Sequence, residues 1–148
     1  MLRMREVKRS ALVSQPPAVV FALINDIERY PEFLPWCAHA RVVSRSEQQI
    51  IATLGVRQGG FAGEFTTKNT LTPDSGVLMQ LLDGPFRMLN GRWLLEPIGS
   101  GGCRVDFEVA FEFQSRLTGM LVEPLFAQTI GSLVEAFVQR ARAQAGAS

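Results

Sequence analysis

The last long segment of the chain, residues 117 to about 143, carries an apolar stripe that only a second layer of structure can bury. Its apolar residues recur at steps of three and four, the period of one helical face: Phe126, Ile130, Leu133, Val134, Phe137, Val138 and Ala141. Fully burying six large apolar side chains stabilises a fold by roughly 10 to 15 kcal/mol, before the entropy of ordering the chain is subtracted. The segment therefore predicts one long helix laid across a sheet, which Pro124 or Gly119 should open or kink.

A run of strands precedes this helix. Alternating polarity and turn residues predict strands at residues 5–13, 41–47, 49–57, 61–71, 77–82, 86–96 and 103–113. We interpret Asn90 and Gly91 as a glycine bulge that bends one long strand. An antiparallel sheet with one apolar face and one amphipathic helix to cover it predicts a two-layer α+β domain. Where a bent sheet wraps a helix, the space between them can become a tunnel lined by apolar side chains.

The segment between the first two strands is rich in proline. Ser14 is expected to cap a helix whose first turn holds Pro16 and Pro17, and the pair Tyr30 and Pro31 should end it. Four large side chains are concentrated just beyond, at Tyr30, Phe33, Leu34 and Trp36. Two interpretations remain open at equal weight: a lid packed over one end of the core, or a lid that gates a tunnel.

Composition narrows the function classes. The chain of 148 residues predicts a single domain over 1–148 with an ordered core at about 5–143. Its formal charge of +1 gives no support to electrostatic binding of nucleic acid, and no DNA partner is expected. Two cysteines and one histidine cannot build a metal site. We expect a cytoplasmic protein with reduced thiols, since no signal-peptide core follows Met1.

The sequence shows no set of residues that could act together in catalysis. His39 has no identifiable carboxylate partner, Asp83 lies in a turn, and Glu64 should point to solvent. Cys37 has no evident basic partner and is expected to be a buried structural thiol. No acid–base set is therefore visible in the sequence.

Several runs of sequence together resemble one known family. These are NDIERYPEFLPWC at residues 25–37, FTTKNxL at 65–71, DGPFRxLxGxW at 83–93, CRVxF at 103–107 and AFxxRA at 136–141. They are similar to the ribosome association toxin (RatA) and coenzyme-Q-binding branch of the START-like, polyketide cyclase superfamily. The Pro-Trp-Cys ending at Trp36 resembles the coenzyme-Q-binding members.

The resemblance implies a helix-grip fold, with a seven-stranded antiparallel sheet around a long C-terminal helix and an apolar cavity between them. It also implies binding of a polyprenyl quinone such as ubiquinone in support of respiration, without a known reaction. The toxin-type members are held to act on the large ribosomal subunit and hinder subunit joining. The family motif falls on Tyr30, Pro31, Phe33, Leu34, Pro35, Trp36, Asp83, Gly84, Pro85, Phe86 and Trp93.

Our first hypothesis is a lipid-binding protein that shelters a quinone and makes transient contact with the inner membrane. The candidate ligand-binding residues are Tyr30, Phe33, Leu34, Pro35, Trp36, Phe65, Asn69, Phe86, Trp93, Phe107, Val109, Phe111, Leu121, Leu125 and Phe126. Phe33, Leu34 and Trp36 are expected at the mouth, so that Leu34→Lys should release lipid with little loss of fold. Tyr30 or Asn69 could hold the quinone head.

Two alternatives remain open. A ribosome-binding regulator would meet RNA phosphates through one basic group, formed by Arg5, Lys8, Arg9, Arg41 and Arg45. A cyclase or dehydratase is the third hypothesis, which rests on the superfamily name alone.

Overall fold

The computed structural model describes residues 4–146, so the outermost residues of the predicted 1–148 domain lie outside the described part. The strands are β1 (Arg5–Val13), β2 (Cys37–Arg45), β3 (Gln49–Gln58), β4 (Phe61–Thr72), β5 (Gly76–Asp83), β6 (Phe86–Ile98) and β7 (Gly102–Phe113). The helices are α1 (Pro17–Asn25), a 3₁₀ helix (Ile27–Glu32), α2 (Arg116–Gly131) and α3 (Leu133–Gly146).

The seven strands form one antiparallel sheet in the order β1-β7-β6-β5-β4-β3-β2. Strands β2 to β7 follow one another as a meander, and β1 pairs with β7, so β1 and β2 are the two edge strands. The helices α2 and α3 pack on the β1 and β7 side of the sheet, and α1 packs against α3. The predicted seven-stranded sheet with a C-terminal helical segment is confirmed.

The inner face of the sheet carries the aromatic core. In β7, Val105, Phe107, Val109 and Phe111 are buried, whereas the intervening positions are more accessible, as period-two alternation requires. The ring of Phe126 on α2 packs edge-on to Phe111, with 4.9 Å between the ring centroids. Aromatic contacts of this kind add to the free energy that burial of the apolar area supplies.

The C-terminal helical segment breaks at Ser132, not at Pro124 or Gly119 as the sequence predicted. The guanidinium of Arg9 on β1 donates a hydrogen bond to the carbonyl of Gly131 at 3.2 Å, and the Ser132 hydroxyl donates to the carbonyl of Thr129 at 2.8 Å. A Cβ on residue 131 would lie 2.7 Å from the Arg9 guanidinium, so glycine permits this approach. External hydrogen bonds to helix carbonyls explain the break between α2 and α3.

Pro124 lies inside α2 without ending it. Both Pro124 and Met120, whose carbonyl loses its helical partner, are on the exposed side of the helix, where water can satisfy that carbonyl.

By length and composition alone Arg116–Ala145 could cross a membrane, but the core helix of a water-exposed domain meets the same criteria.

Four local predictions are wrong. Tyr30 and Pro31 do not end the first helix, because α1 ends at Asn25 and both residues belong to the separate 3₁₀ helix. Helix α1 has Pro16 at its N-cap position without a side-chain cap, so Ser14 does not cap it. Strand β2 begins at Cys37 instead of residue 41, because Cys37 already pairs with Val56 of β3. The irregularity in β6 lies between Phe86 and Met88, whereas Gly91 pairs regularly with both neighbouring strands.

Two glycines give a matched test of this packing. A Cβ added to Gly119 of α2 would have one neighbour, the Cβ of Phe113 at 3.6 Å, so Gly119→Ala should raise the free energy of unfolding by about 0.5–1 kcal/mol. In contrast, a Cβ on Gly76 of β5 would lie 2.7 Å from the backbone oxygen of Trp93, so Gly76→Ala should lower it. Urea unfolding of both variants measures the difference, and equal stability would contradict the packing described.

Candidate functional site

A small cavity of about 70 Å³ lies between the inner face of the sheet and the C-terminal helices. Its lining is apolar apart from one pair of polar side chains and the polar tips of three aromatic residues. The lining residues are Ile27, Tyr30, Trp36, Ala52, Leu54, Phe65, Thr67, Asn69, Met79, Leu89, Trp93, Phe107, Val109, Phe126, Ile130, Leu133 and Phe137. No charged residue belongs to this set, so within the described residues the cavity suits a neutral apolar ligand.

The walls of the cavity differ in how tightly they are packed. Trp93 on β6 and Phe107 on β7 are buried, with 4.5 Å between their ring centroids. Leu54, Phe65 and Met79, on β3, β4 and β5, are only partly buried. The helices pack on the β1 and β7 side, so the β3 to β5 wall is the less supported one.

One polar pair faces the cavity from β4. Thr67 and Asn69 are two residues apart and therefore share the inner face, where they are 7% and 6% exposed. The Thr67 hydroxyl donates a hydrogen bond to the Asn69 side-chain oxygen Oδ1 at 2.8 Å. A buried polar pair of this kind can orient a ligand that carries a matching polar group.

Tyr30 lines the cavity with its ring, but its hydroxyl is already engaged. That hydroxyl donates a hydrogen bond to the backbone carbonyl of Ile24, and the ring packs edge-on against Phe137 at 5.4 Å. Burial raises the pKa of Tyr30 well above its ordinary value, so the group stays protonated and neutral. Tyr30 is therefore a wall residue, and Asn69 remains the polar candidate.

The structure brings eight of the candidate ligand-binding residues together around the cavity. These are Tyr30, Trp36, Phe65, Asn69, Trp93, Phe107, Val109 and Phe126. Whether they bind a ligand stays a prediction.

Seven other candidates lie away from the cavity. Phe86 and Phe111 belong to the aromatic core beside it, and Phe33 packs against Phe137 under the guanidinium of Arg140. Leu125 lies against the turn at Gly59. The remaining three candidates are Leu34, which is buried, and Pro35 and Leu121, which are exposed.

The expectation that Leu34 lies in a mouth outside the core is wrong. Leu34 is 1% exposed and belongs to the hydrophobic core, because it lies in the tight turn between the 3₁₀ helix and β2, where its N–H donates to the carbonyl of Tyr30 and its carbonyl accepts from the N–H of Cys37. Leu121, in contrast, is 73% exposed. The helical stripe that predicts burial begins further along α2, at Phe126, so Leu121 falls before it.

Nine lining residues are not among the candidates predicted from the sequence. They are Ile27, Ala52, Leu54, Thr67, Met79, Leu89, Ile130, Leu133 and Phe137. A signal for several of them was present, because Thr67 alternates with Asn69 along β4, and Ile130, Leu133 and Phe137 belong to the predicted helical stripe.

Outside the cavity, the structure corrects the expectation for His39. Its ring nitrogen Nε2 lies 2.5 Å from Glu64, and both side chains are about half exposed. His39 on β2 and Glu64 on β4 both pair with Gly55 of β3, from opposite sides of that strand. Because Gly55 has no side chain, the side chains of His39 and Glu64 can meet across it. This pair lies on the outer face, away from the cavity.

The cysteines are buried, free thiols. Burial raises the pKa of Cys37 to about 11, so its thiol is protonated and a poor nucleophile near neutral pH. Burial raises the pKa of Cys103 as well.

The predicted basic group does not form one patch on the sheet. Arg5, Lys8 and Arg9 belong to β1, whereas Arg41 and Arg45 belong to β2, at the opposite edge of the strand order. Arg5 pairs with Glu123 at 3.3 Å, which further reduces the free positive charge.

Comparison with known proteins identifies the relatives of this chain. Residues 13–138 match the family model described as polyketide cyclase / dehydrase and lipid transport. The chain is 40% identical to the ribosome association toxin RatA of Vibrio cholerae, over 94% of this chain and 96% of that one. It is 30% identical to the mitochondrial coenzyme Q-binding protein coq10 of Schizosaccharomyces pombe, over 95% of this chain and 88% of the other.

The fold has a similar solved structure. The Zhui aromatase/cyclase of Streptomyces sp. R1128 superposes with a TM-score of 0.82 at 15% identity, over 95% of this chain and 94% of that one. At this identity the likeness shows the fold alone.

A pair of leucines tests the corrected placement. Leu34→Ala should lower the free energy of unfolding by about 2–5 kcal/mol, because it leaves a cavity in the core. Leu121→Ala should change it by less than about 0.5 kcal/mol, because that side chain is largely in water. Unfolding in guanidinium chloride measures the free energy of unfolding of both variants. A smaller loss of stability for Leu34→Ala than for Leu121→Ala would show that the lid is not part of the core.

Proposed function

The chain belongs to the polyketide cyclase / dehydrase and lipid transport family, and we propose that it binds an isoprenoid quinone such as ubiquinone without transforming it. The observation that carries this proposal is the cavity between sheet and helices, which is apolar, uncharged and has one polar pair at Thr67 and Asn69. A neutral ring with a polar substituent and an apolar tail matches such a lining. A fatty acid or phospholipid would bring a charge that no lining residue pairs, which is costly in a buried site.

The size of the cavity sets a condition on this proposal. About 70 Å³ is roughly half of the 150 Å³ of an engineered cavity that binds benzene, so a quinone ring requires the lining to move outward. Met79 is the flexible residue on the less supported wall, and its thioether side chain can change rotamer at low cost. We infer that the ring enters between the helices and strands β3 to β5, with the prenyl tail following towards solvent or membrane.

Binding without reaction follows from the groups around the cavity. Among the lining residues Tyr30 is the one with a titratable side chain, and its hydroxyl is hydrogen-bonded to the carbonyl of Ile24. General acid–base chemistry needs a group that can exchange protons near neutral pH within reach of the substrate. The lining offers none, which favours a carrier over a cyclase or dehydratase.

The relatives support the quinone in particular. One relative across nearly the whole chain is named as a coenzyme Q-binding protein. Under this proposal the protein is cytoplasmic and meets the inner membrane transiently, because the prenyl tail keeps a quinone in the bilayer. Its role would be to support respiratory electron transport.

Filling the cavity tests the proposal. Ala52→Leu on β3 adds three carbon atoms at a lining position that is 2% exposed, so it should exclude the ligand at a cost of about 1–3 kcal/mol in stability. The matched control is Ala62→Leu on β4, where the side chain is exposed. We expect ubiquinone recovered by solvent extraction and mass spectrometry to fall at least about tenfold for Ala52→Leu and to stay unchanged for Ala62→Leu.

Equal ubiquinone content in the two variants would contradict the proposal that the cavity is the binding site. Circular dichroism and urea unfolding of both variants show whether Ala52→Leu keeps its fold. A second variant, Val109→Phe, fills the cavity from β7 and separates a blocked site from a local disturbance of β3.

A second candidate function is association with the large ribosomal subunit. The observation in its favour is the 40% identity to a protein named ribosome association toxin RatA, over nearly the full length of both chains. The basic residues of β1 and β2 would then act from two separate edges of the sheet instead of one patch. Contacts of this kind with RNA phosphates weaken as salt rises.

Sucrose-gradient sedimentation with purified large subunits distinguishes the two candidates. Comigration that disappears between about 50 and 200 mM salt, and that Ala52→Leu leaves intact, would favour ribosome association through the surface. Absence of comigration at low salt would remove this candidate.

A further inference from the structure

The first two turns of α2 carry apolar side chains on the face that points away from the core. Leu117, Met120 and Leu121 are 67%, 66% and 73% exposed, and Pro124 is exposed as well. Their spacing of three, four and seven positions from Leu117 places all four on one helical face. About two and a half turns separate Leu117 from the buried Phe126, so this α2 stripe lies opposite the face that packs on the sheet.

The α2 stripe inverts the usual pattern of a surface helix. Such a helix turns its apolar side chains to the core and its polar side chains to water. Single exposed apolar side chains are ordinary, whereas a contiguous apolar patch marks an interaction site. Within residues 4–146 the four most exposed large apolar side chains include Leu117, Met120 and Leu121, which stand together on this helix. The stripe therefore calls for a partner that covers it.

The charges next to the α2 stripe favour an anionic partner. Arg116 opens α2, is exposed, and has no ion-pair partner in the described part of the chain. Two carboxylates line the same groove, and each has its own arginine: Glu112 pairs with Arg87 at 3.2 Å, and Glu123 pairs with Arg5 at 3.3 Å. The free charge in this groove is therefore positive.

The extent of the α2 stripe favours a lipid surface over a protein. A stable protein–protein interface uses about 20–30 residues on each side. The stripe has four residues, and the exposed polar side chains of Ser115 and Gln128 bound it at its two ends. A bilayer needs no matching shape, because the apolar face of an interfacial helix enters the boundary between headgroups and acyl chains by about 5–10 Å. Arginine beside such a helix meets anionic headgroups.

We propose that the α2 stripe docks the protein on an anionic lipid bilayer, with Leu117, Met120 and Leu121 in the acyl boundary and Arg116 at the headgroups. The inference rests on the proposed function for the purpose of this contact, but the surface can be tested without any ligand in the cavity. The contact also brings the bilayer close to the cavity. Phe126, which lines the cavity, follows Leu121 by about 7.5 Å along the axis of the same helix.

Flotation of the full chain with lipid vesicles tests this surface. The vesicles contain phosphatidylcholine with about 30 mol% of the anionic lipid phosphatidylglycerol. A double variant, Leu117→Gln with Leu121→Gln, replaces two exposed leucines by polar side chains of similar size, so binding should fall at least about tenfold. The matched control is Leu12→Gln with Leu94→Gln, at positions of β1 and β6 that are 68% and 45% exposed, and it should bind as the natural chain does.

The cation has a variant of its own. Arg116→Gln should lower binding to the anionic vesicles about fivefold and leave binding to pure phosphatidylcholine vesicles unchanged, because one arginine near an anionic surface contributes a factor of this size. Arg142→Gln, at an exposed position of α3, is the matched control and should change neither. Urea unfolding should give equal stability for all these variants, because every substituted side chain is partly or largely in water.

Flotation that survives the double substitution of Leu117 and Leu121, or no flotation of the natural chain, would overturn this inference. So would a natural chain that light scattering shows to be a dimer and that the same double substitution turns into a monomer, because the stripe would then join two copies.

The cavity variant Ala52→Leu separates this surface from the proposed function. It should float as the natural chain does, because Ala52 lies in the cavity lining and not on the stripe. Failure of the natural chain to float while it still carries ubiquinone would overturn the docking surface alone. Flotation without any bound ubiquinone would support the surface and count against the quinone proposal.

Discussion

Burial of one apolar helical face against the inner face of the sheet is the constraint on which the rest of this structure depends. Phe126 and Ile130 of α2, with Leu133 and Phe137 of α3, fill the space that the sheet encloses. Without them the aromatic residues of β6 and β7 would face water, and the fold would lose its second layer. The helices contact β1 and β7 more extensively than β3 to β5. The cavity lies between the helices and the inner face of the sheet, so the interaction that holds the fold also shapes the candidate site.

The chemistry of the site follows from which strands supply its walls. Strands β6 and β7 contribute aromatic and branched side chains, and β4 contributes the one polar pair, Thr67 and Asn69. Apart from Tyr30, whose buried hydroxyl stays protonated, the titratable groups lie elsewhere: His39 and Glu64 pair on the outer face, and Cys37 is a buried thiol with a raised pKa. In the proposed function, this separation favours binding over turnover, because no lining residue exchanges a proton near neutral pH.

The local sequence pattern was sufficient to predict the sheet and the helical layer, because strand alternation and the helical stripe depend on residues that are close together in the sequence. It could not predict features that depend on distant partners. The break at Ser132 involves a contact with Arg9, 122 positions away from Gly131, which the pattern within the helix does not show. The contact between His39 and Glu64 depends on Gly55 standing between them on β3. Leu34 was interpreted as a lid residue because prolines surround it, but in the structure it is buried in the core, in the turn that joins the 3₁₀ helix to β2. Asn69 was a candidate from its face of β4, whereas the role of Thr67 as its partner needed the structure.

The central claim is that the cavity between sheet and helices is where the ligand binds. Isotope-filtered nuclear magnetic resonance of the ¹³C,¹⁵N-labelled protein with unlabelled ubiquinone of one isoprene unit tests it most directly. We expect nuclear Overhauser contacts from the quinone ring to the methyl groups of Met79, Leu89 and Val109, which line the cavity, together with a shift of the side-chain amide resonances of Asn69. Contacts confined to exposed side chains such as Leu117 and Leu121, with no shift at Asn69, would contradict it.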